Sequence, residues 1–256
     1  RRSRCPVIVL VSDLGDNSSE SQCRLKVLEE CFAYNIKPPE WIAINDVEPW
    51  NKVDAAFTLL QQAAIPIKEA IFIGVVDPGV GTKRKPIVIR TKKDQYFVGP
   101  DNGIFDPAAK RDGIAAVWQI DESPFPGSSV TFHGRDIFSP IAAKIACGVD
   151  PSALGWTIAE QELVPFEFQP GQVVQIDRYG NLKIFGPIPE NPRGITLYHP
   201  EPSIIPFVRT FANVEIGQLL ALRGSDNLLE IATRENNAAQ QLGHQVGDCL
   251  HIEWQI

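Results

Sequence analysis

Methionine is absent from the 256-residue sequence, even at position 1, so we expect a trimmed chain or a sequence that lacks modified residues. Cysteine is present five times, but the residues are scattered and form no Cys-x-x-Cys motif. They also lack the cysteine–histidine spacing that suits zinc. We therefore expect reduced thiols in a cytoplasmic protein.

Long basic runs and long apolar runs are also missing. No run of Lys and Arg exceeds three residues and the net charge is −7, which argues against a nucleic-acid surface and mildly favours a cationic small-molecule ligand. The longest apolar runs, such as Cys5–Val11 and Ala70–Val76, fall far short of the ~20 residues that a membrane span needs. Arg1–Arg4 followed by Pro6–Val11 imitates a signal peptide, but no small-residue cleavage site follows. We predict a buried first strand there.

The pattern of the chain predicts two domains, and its 44% hydrophobic content permits a full core. From residue 6 to 165, short β-rich apolar runs alternate with helical patterns, which is typical of βαβ units. We predict an α/β N-terminal domain with a mostly parallel sheet over residues 1–167. Short strand candidates separated by Gly, Pro and Asn then predict a small all-β C-terminal domain over residues 168–256.

The predicted elements place two acidic loops at one edge of the first sheet. Strands are predicted at 6–11, 41–44, 70–76, 86–90 and 95–98, the last two as a hairpin, and helices at 22–33, 54–64 and 137–147. Six further strands are predicted at 173–177, 182–185, 195–198, 219–222, 228–232 and 249–254. Asp136 is the expected N-cap of the third helix, and Gly148 follows its end. Ligands of open α/β sheets bind beyond the carboxyl ends of the strands, where the Asp13 and Asp77 loops are expected.

Three polar residues on loops are candidates for handling a water molecule. Asp77 opens a glycine-rich loop after the most apolar strand, although a tight structural turn is an equal alternative. Arg84 ends this loop and could fold back to keep Asp77 ionised, or it could be an ordinary surface arginine. His133 precedes the third helix, whose N-terminus disfavours imidazolium and suits a neutral base. The alternative for His133 is a residue that simply starts the helix.

Other candidates are individually weaker. Asp13 is typical of the strand-end acid that binds ribose hydroxyls in nucleotide-binding α/β proteins. Trp50 and Phe211 could be platforms for adenine or methionine, although such aromatic residues usually belong to the core. The stretch Asp177–Asn181 is typical first of a β-turn.

Five motifs in a fixed order give a more specific signal. They are Val76–Thr82 with Arg84, Gly99–Gly103, Thr131–Asp136, Ile176–Asn181, and Gly224–Ser225 with Leu229–Ala232. The set closely resembles the S-adenosylmethionine hydroxide adenosyltransferases, which are related to the fluorinases and chlorinases. The resemblance covers about residues 6–254.

The resemblance implies a reaction, an assembly and a set of site residues. A water-derived hydroxide would attack ribose C5′ of the substrate S-adenosylmethionine (SAM), releasing adenosine and L-methionine with no cofactor and no metal. The C-terminal domain would be barrel-like, and a homotrimer would form its sites between the N-terminal domain of one subunit and the C-terminal domain of the next. By similarity, Asp77, Arg84 and His133 would handle the water. The implied ligand-binding residues are Asp13, Trp50, Asp77, Phe132, Asp177, Asn181, Phe211, Ser225, Glu230 and Thr233.

Two alternative functions stay open. A SAM-dependent halogenase needs a dry pocket of backbone and hydroxyl donors, whereas the polar groups of Asp77 and His133 favour hydroxide. A non-catalytic adenosine- or SAM-binding module is the second alternative, because Ser18, Ser19 and Glu20 depart from the pattern that is common in the family. Formation of a 5′-halo-adenosine, or binding without turnover, would distinguish these alternatives from hydrolysis.

Overall fold

The buried apolar residues form separate clusters before and after Phe166, and the chain divides there into two units, Arg1–Phe166 and Glu167–Ile256. This is a computed structural model, and it describes residues 5–199 and 201–256. The start of the apparent signal sequence, Arg1–Arg4, lies outside the described residues. The strand predicted after it is present.

The first unit contains a seven-stranded sheet in the order β2-β1-β3-β5-β4-β6-β7. Its strands are β1 Val7–Ser12, β2 Glu40–Ile44, β3 Ile71–Val75, β4 Pro86–Thr91, β5 Tyr96–Pro100, β6 Ile114–Ile120 and β7 Gly155–Ile158. Strands β2, β1, β3 and β5 pair in parallel, whereas β4 is antiparallel to β5 and β6, and β6 is antiparallel to β7. The sheet is therefore mixed, and the predicted mostly parallel sheet is wrong. The cause is the correctly predicted β4–β5 hairpin, which reverses the chain so that β6 and β7 add antiparallel.

Helices cover both faces of this sheet. They are α1 Asn17–Ala33, α2 Lys52–Ala63, α3 Asp106–Asp112 and α4 Ser139–Ala146. Side chains alternate between the faces of a strand, so Ile8 and Leu10 of β1 pack in one cluster with α1 and α4. Val7 and Val9 of the same strand pack in another cluster with α2 and α3. Both faces are buried, which explains the continuous apolar run in β1.

The start of the predicted third helix differs from the expectation. A π-helical turn, Gly134–Phe138, precedes α4, and the backbone N–H of Ser139 donates to the carbonyl of Gly134. Asp136 lies inside this turn, so its prediction as the N-cap is wrong. Its carboxylate instead accepts a hydrogen bond from the backbone N–H of Ser129 at 2.8 Å. Apolar spacing alone does not show that a turn contains an extra residue.

The second unit consists mainly of two antiparallel sheets, in the orders β12-β13-β9-β8 and β11-β10-β14. Its elements are β8 Val173–Ile176, β9 Leu182–Ile184, β10 Gly194–His199, β11 Glu201–Pro206, β12 Leu219–Arg223, β13 Leu229–Thr233, α5 Ala238–Leu242 and β14 His251–Gln255. All six predicted strands are present. Isolated bridges Gln172↔Cys249 and Phe207↔Ala221 lie where the edges of the two sheets meet.

The cysteines and helices provide two further observations. All five cysteines are free thiols. Within residues 5–199 and 201–256, no helix combines the length and the apolar character that crossing a membrane requires.

Candidate active site

Asp77 and Arg84 form a buried ion pair beyond the carboxyl end of β3. The Nδ2 of Asn102 donates to the carbonyl of Val76 at 2.9 Å and so fixes the chain just before Asp77. Arg84 Nε and Nη2 donate to Asp77 Oδ2 at 2.9 and 2.6 Å. The two side chains are only 8% and 6% exposed, respectively. The loop from Asp77 to Arg84 thus folds back and brings the Arg84 guanidinium into contact with the Asp77 carboxylate.

Glycine allows this loop to pack against the segment that carries His133. Gly81 has φ +75°, and a Cβ placed on it would lie 2.7 Å from the carbonyl oxygen of Val130. Gly134 has a similar role after His133, since a Cβ there would lie 2.8 Å from Val75 Cγ1 at the end of β3. Small residues therefore bring the Asp77–Arg84 loop, β3 and His133 together.

His133 is linked to the ion pair through Arg84, whose Nη2 lies 2.7 Å from His133 Nδ1. A guanidinium only donates hydrogen bonds, so Nδ1 is the acceptor and the neutral ring carries its proton on Nε2. Burial lowers the pKa of His133, and the positive charge of Arg84 lowers it further. Burial and Arg84, rather than a helix N-terminus, thus disfavour the protonated ring.

One oxygen of the buried carboxylate is unused. Asp77 Oδ1 has no hydrogen-bond partner among the described residues, whereas Oδ2 accepts both bonds from Arg84. Burying a polar atom without a partner costs free energy, so this oxygen requires a donor from outside the chain. A water molecule or a ligand hydroxyl would satisfy it.

Asp77 and His133 lie at a cavity of about 150 Å³ in the first unit, and Arg84 contacts both of them without lining it. Five predicted residues line it, namely Asp13, Trp50, Asp77, Phe132 and His133. Six other lining residues were not among the predicted site residues, namely Leu14, Val75, Val80, Thr131, Gly134 and Phe138. Leu14, Val80 and Thr131 are close in sequence to predicted site residues. This proximity was the sequence signal that could have identified them. Phe138 lies edge-on to His133, with ring centroids 6.4 Å apart, and was hidden in an apolar helix pattern.

Asp13 is the second carboxylate at the cavity. Its Oδ2 accepts a hydrogen bond from the backbone N–H of Trp50 at 2.7 Å. Burial raises the pKa of Asp13, the bond from Trp50 opposes this rise, and the charge of Asp77 adds to it. Trp50 has φ +60° and a residue exposure of 74%. Asp13 thus holds an aromatic residue at the opening of the cavity in an uncommon backbone conformation.

The remaining predicted residues belong to the second unit. Asp177 accepts hydrogen bonds from the backbone N–H groups of Tyr179 and Asn181 at 2.8 and 3.0 Å, and from Asn181 Nδ2 at 2.9 Å. The predicted turn is therefore present, and its two candidate ligand residues bind each other. Phe211 is 37% exposed in a short 3₁₀ turn, and Ser225 is exposed.

Glu230 and Thr233 both lie on β13 of the second unit. Burial raises the pKa of Glu230, and Lys183 on the neighbouring strand opposes the rise. Thr233 is buried, and its hydroxyl lies 3.0 Å from Gln241 Oε1. In residues 5–199 and 201–256 there is no group of three or more His, Cys, Asp or Glu residues that could hold a metal ion.

Both units match known sequence families. Residues 8–155 match the SAM hydroxide adenosyltransferase N-terminal domain, and residues 171–251 match the C-terminal domain. The chain is similar to a protein of Salinispora tropica named (R)-S-adenosyl-L-methionine hydrolase, with 31% identity over 82% of this chain and 85% of that protein.

A relative with the same name from Methanocaldococcus jannaschii is 36% identical over 69% of this chain and 65% of that protein. The match thus spans just under two thirds of the archaeal protein. A crystal structure of an uncharacterized conserved protein from Thermotoga maritima superposes with a TM-score of 0.84 at 28% identity. That similarity covers 96% of this chain and 99% of the other.

Proposed function

Because this chain belongs to the SAM hydroxide adenosyltransferase family, we propose that it is a SAM hydrolase that forms adenosine and L-methionine. The observation that carries the proposal is the buried, unpartnered Oδ1 of Asp77 beside Arg84 and His133. This oxygen is an acceptor held in place for a water molecule. The names of the hydrolase relatives support the same substrate.

In this reaction the enzyme must position the attacking water, whereas the methionine leaving group needs little activation. The water oxygen forms a bond to ribose C5′ while the C5′–S bond breaks. The electron pair of the breaking C5′–S bond goes to sulfur. The positively charged sulfonium thereby becomes the neutral thioether of methionine. Since this leaving group needs no further activation, positioning and desolvation of the water supply the catalysis. We propose that no cofactor and no metal take part.

The hydrogen bonds assign different roles to Asp77 and His133. Asp77 Oδ1 accepts a hydrogen bond from the water and takes its proton as the C5′–O bond forms. His133 Nδ1 already accepts from Arg84, so the ring faces the water as an Nε2–H donor and fixes its orientation. The position of His133 before a helix predicts a neutral base there. The occupied Nδ1 instead favours Asp77.

The other predicted residues complete the proposed substrate site. Asp13 would accept hydrogen bonds from the ribose hydroxyls, and Trp50 and Phe132 would line the ligand. By similarity, Asp177, Asn181 and Ser225 would bind the methionine end, Phe211 would line the ligand, and Glu230 and Thr233 would lie at adenine.

We further propose a barrel-like second unit and a cytoplasmic homotrimer in which neighbouring subunits share each site. Bridges at both sheet edges support the barrel, and the free cysteines support the compartment. The family resemblance supports the trimer. Sedimentation that finds a fully active monomer of 28.3 kDa would contradict the shared site.

The decisive experiment is incubation with SAM in oxygen-18 water, followed by mass spectrometry of the products. We expect the label on the 5′ oxygen of adenosine and none in methionine. Adenosine without label would contradict hydroxide transfer. A 5′-halo-adenosine formed in chloride or fluoride would indicate a halogenase, and calorimetric binding of SAM without any product would indicate a binding module.

A further inference from the structure

Arg135 does not line the cavity, but it contacts one residue that does, Phe132, and two residues behind it, Gln22 and Asp136. Its Nε and Nη2 donate to the two carboxylate oxygens of Asp136 at 2.7 and 2.9 Å. Its Nη1 donates to Gln22 Oε1 on α1 at 2.9 Å. Its guanidinium carbon lies 5.0 Å from the ring centroid of Phe132. One planar cation therefore connects a helix, the π-helical turn and an aromatic residue of the cavity.

Asp136 extends these contacts to the segment 129–133, which carries Thr131, Phe132 and His133. Asp136 Oδ2 accepts from the backbone N–H of Ser129 at 2.8 Å, and its own N–H donates to the carbonyl of Phe132 at 3.2 Å. Asp136 thus bonds this segment at Ser129 and at Phe132, and Arg135 holds Asp136. A bidentate arginine–carboxylate pair fixes orientation as well as distance.

We propose that Arg135 is a positioning residue, which acts through Asp136 and Phe132 to place His133 for the reaction. This inference rests on the proposed hydrolysis. Arg135 makes no contact with the ion pair of Asp77 and Arg84 in the described hydrogen bonds, so its effect passes through the 129–133 segment. A displacement of about 1 Å at a reacting group can cost about 100-fold in rate.

If Arg135 acts through His133, replacing Arg135 should lower kcat only while His133 is present. Arg135→Gln should lower kcat by about 100-fold, and this loss should exceed any rise in KM from the displaced Phe132, because Asp13 and Trp50 stay in place. Arg135→Lys keeps the charge but loses the two parallel bonds, so its loss should be intermediate. In a His133→Ala background, Arg135→Gln should add little, since two changes that act through one residue are not additive.

Arg90 offers a matched control in the same unit. It also donates to a carboxylate, Asp94, through Nε at 3.0 Å, and its guanidinium carbon lies 6.0 Å from the centroid of the Tyr96 ring. Arg90→Gln therefore removes a similar ion pair and a similar aromatic contact away from the candidate site. It should leave kcat unchanged.

The test combines steady-state kinetics with hydrogen exchange measured by mass spectrometry on the full chain. We expect faster exchange in segment 129–133 for Arg135→Gln, and wild-type exchange there for Arg90→Gln. If the wild type forms adenosine and Arg135→Gln matches Arg90→Gln in kcat, the positioning role is refuted. If the wild type forms no adenosine, the proposed hydrolysis is refuted. Independently, exchange in segment 129–133 of Arg135→Gln that equals the wild-type exchange would refute the positioning role.

Discussion

Arg84 Nη2 lies 2.7 Å from His133 Nδ1 and 2.6 Å from Asp77 Oδ2. One nitrogen of a single guanidinium therefore joins the acid to the imidazole. Because a guanidinium stays protonated at all accessible pH values, it fixes which nitrogen of His133 accepts and which oxygen of Asp77 remains free. The roles of these three side chains are thus coupled, and this coupling can be tested.

The first prediction concerns the free oxygen of Asp77. Asp77→Asn keeps the shape but removes the proton acceptor, so turnover should fall by about 100- to 10,000-fold with little change in SAM affinity. His133→Ala should cost less, because in the proposed mechanism His133 only donates to the water. Single-turnover rates and calorimetry on both variants provide the measurement. Loss of binding with an unchanged chemical step would show that the assigned roles are wrong.

Asp77→Asn should also destabilise the fold, because it leaves the cation of Arg84 buried without a counterion. Removing one partner of a buried ion pair costs on the order of 3 kcal/mol. Asp94→Asn is the control, since its partner Arg90 has a side chain that is 44% exposed. That change should cost less than about 1 kcal/mol. Urea unfolding of the two variants makes the comparison, and equal losses would argue against an uncompensated charge.

The second prediction concerns pH. Burial and Arg84 lower the pKa of His133 from its usual value of 6.5, although Glu122, Asp77 and Asp136 partly oppose them. Turnover should therefore persist below pH 6.5 and fall only when the folded protein protonates the ring and breaks its bond with Arg84. An NMR titration of the His133 Cε1–H signal beside the pH profile of kcat provides the check. A His133 pKa above 6.5 would exclude this account.

The same shift affects stability with a defined sign. The unfolded chain binds the proton at a higher pH than the folded chain does, so the free energy of unfolding falls as pH drops from about 6.5 through the folded pKa. His133→Gln removes this contribution. Urea unfolding on both sides of this window should show a smaller pH dependence for the variant than for the wild type.

The third prediction separates backbone strain from loop contact. Gly81 and Gly127 have φ +75° and +81°, but only a Cβ on Gly81 would meet a neighbour, Val130. Alanine at either position should cost about 1–2 kcal/mol of backbone strain. Gly81→Ala alone should also displace the Asp77–Arg84 loop and lower turnover by about 100-fold. Melting temperature and kcat should be compared, and equal kcat losses would refute the contact between the loops.

The fourth prediction concerns Asp13. Its Oδ2 already accepts from the Trp50 backbone, so Asp13→Ala should release Trp50 as well as the ribose. Asp13→Asn keeps one acceptor oxygen and should weaken binding less. The loss for alanine should be on the order of 1.5–3 kcal/mol per charge-assisted bond. Calorimetry with SAM measures both variants, and equal affinity losses would show that the bond with Trp50 contributes nothing.

Sequence patterns predicted the elements whose periodicity was strong. The apolar runs at β1 and β3, the β4–β5 hairpin and the six predicted C-terminal strands are all present. Strand β11 was missed because Pro202 and Pro206 interrupt its pattern. The short helix α3, with seven residues, has too few turns for a clear period. The mixed order of the sheet depends on pairings between distant residues, which local patterns do not contain.

The sequence predicted which residues belong to the candidate site, but it did not predict the contacts between them. Motifs singled out Asp77, Arg84 and His133, yet Arg84 and His133 are 49 residues apart and only the fold places them in contact. The tautomer of His133 and the free Oδ1 of Asp77 both follow from that contact. Asp136 shows the limit of capping rules, since its expected role at the helix terminus is replaced by a bond to Ser129.

The π-helical turn Gly134–Phe138 restricts how the length of this segment can change. An α-helix rotates by about 100° per residue, and a π turn contains one residue more than an α turn. Deleting one residue from the turn would restore regular α spacing and swing His133 away from Arg84 by about that angle. Substitutions within the turn keep the angular register, whereas single-residue deletions lose it. The contact between His133 and Arg84 is therefore compatible with changes in this segment that keep its residue count.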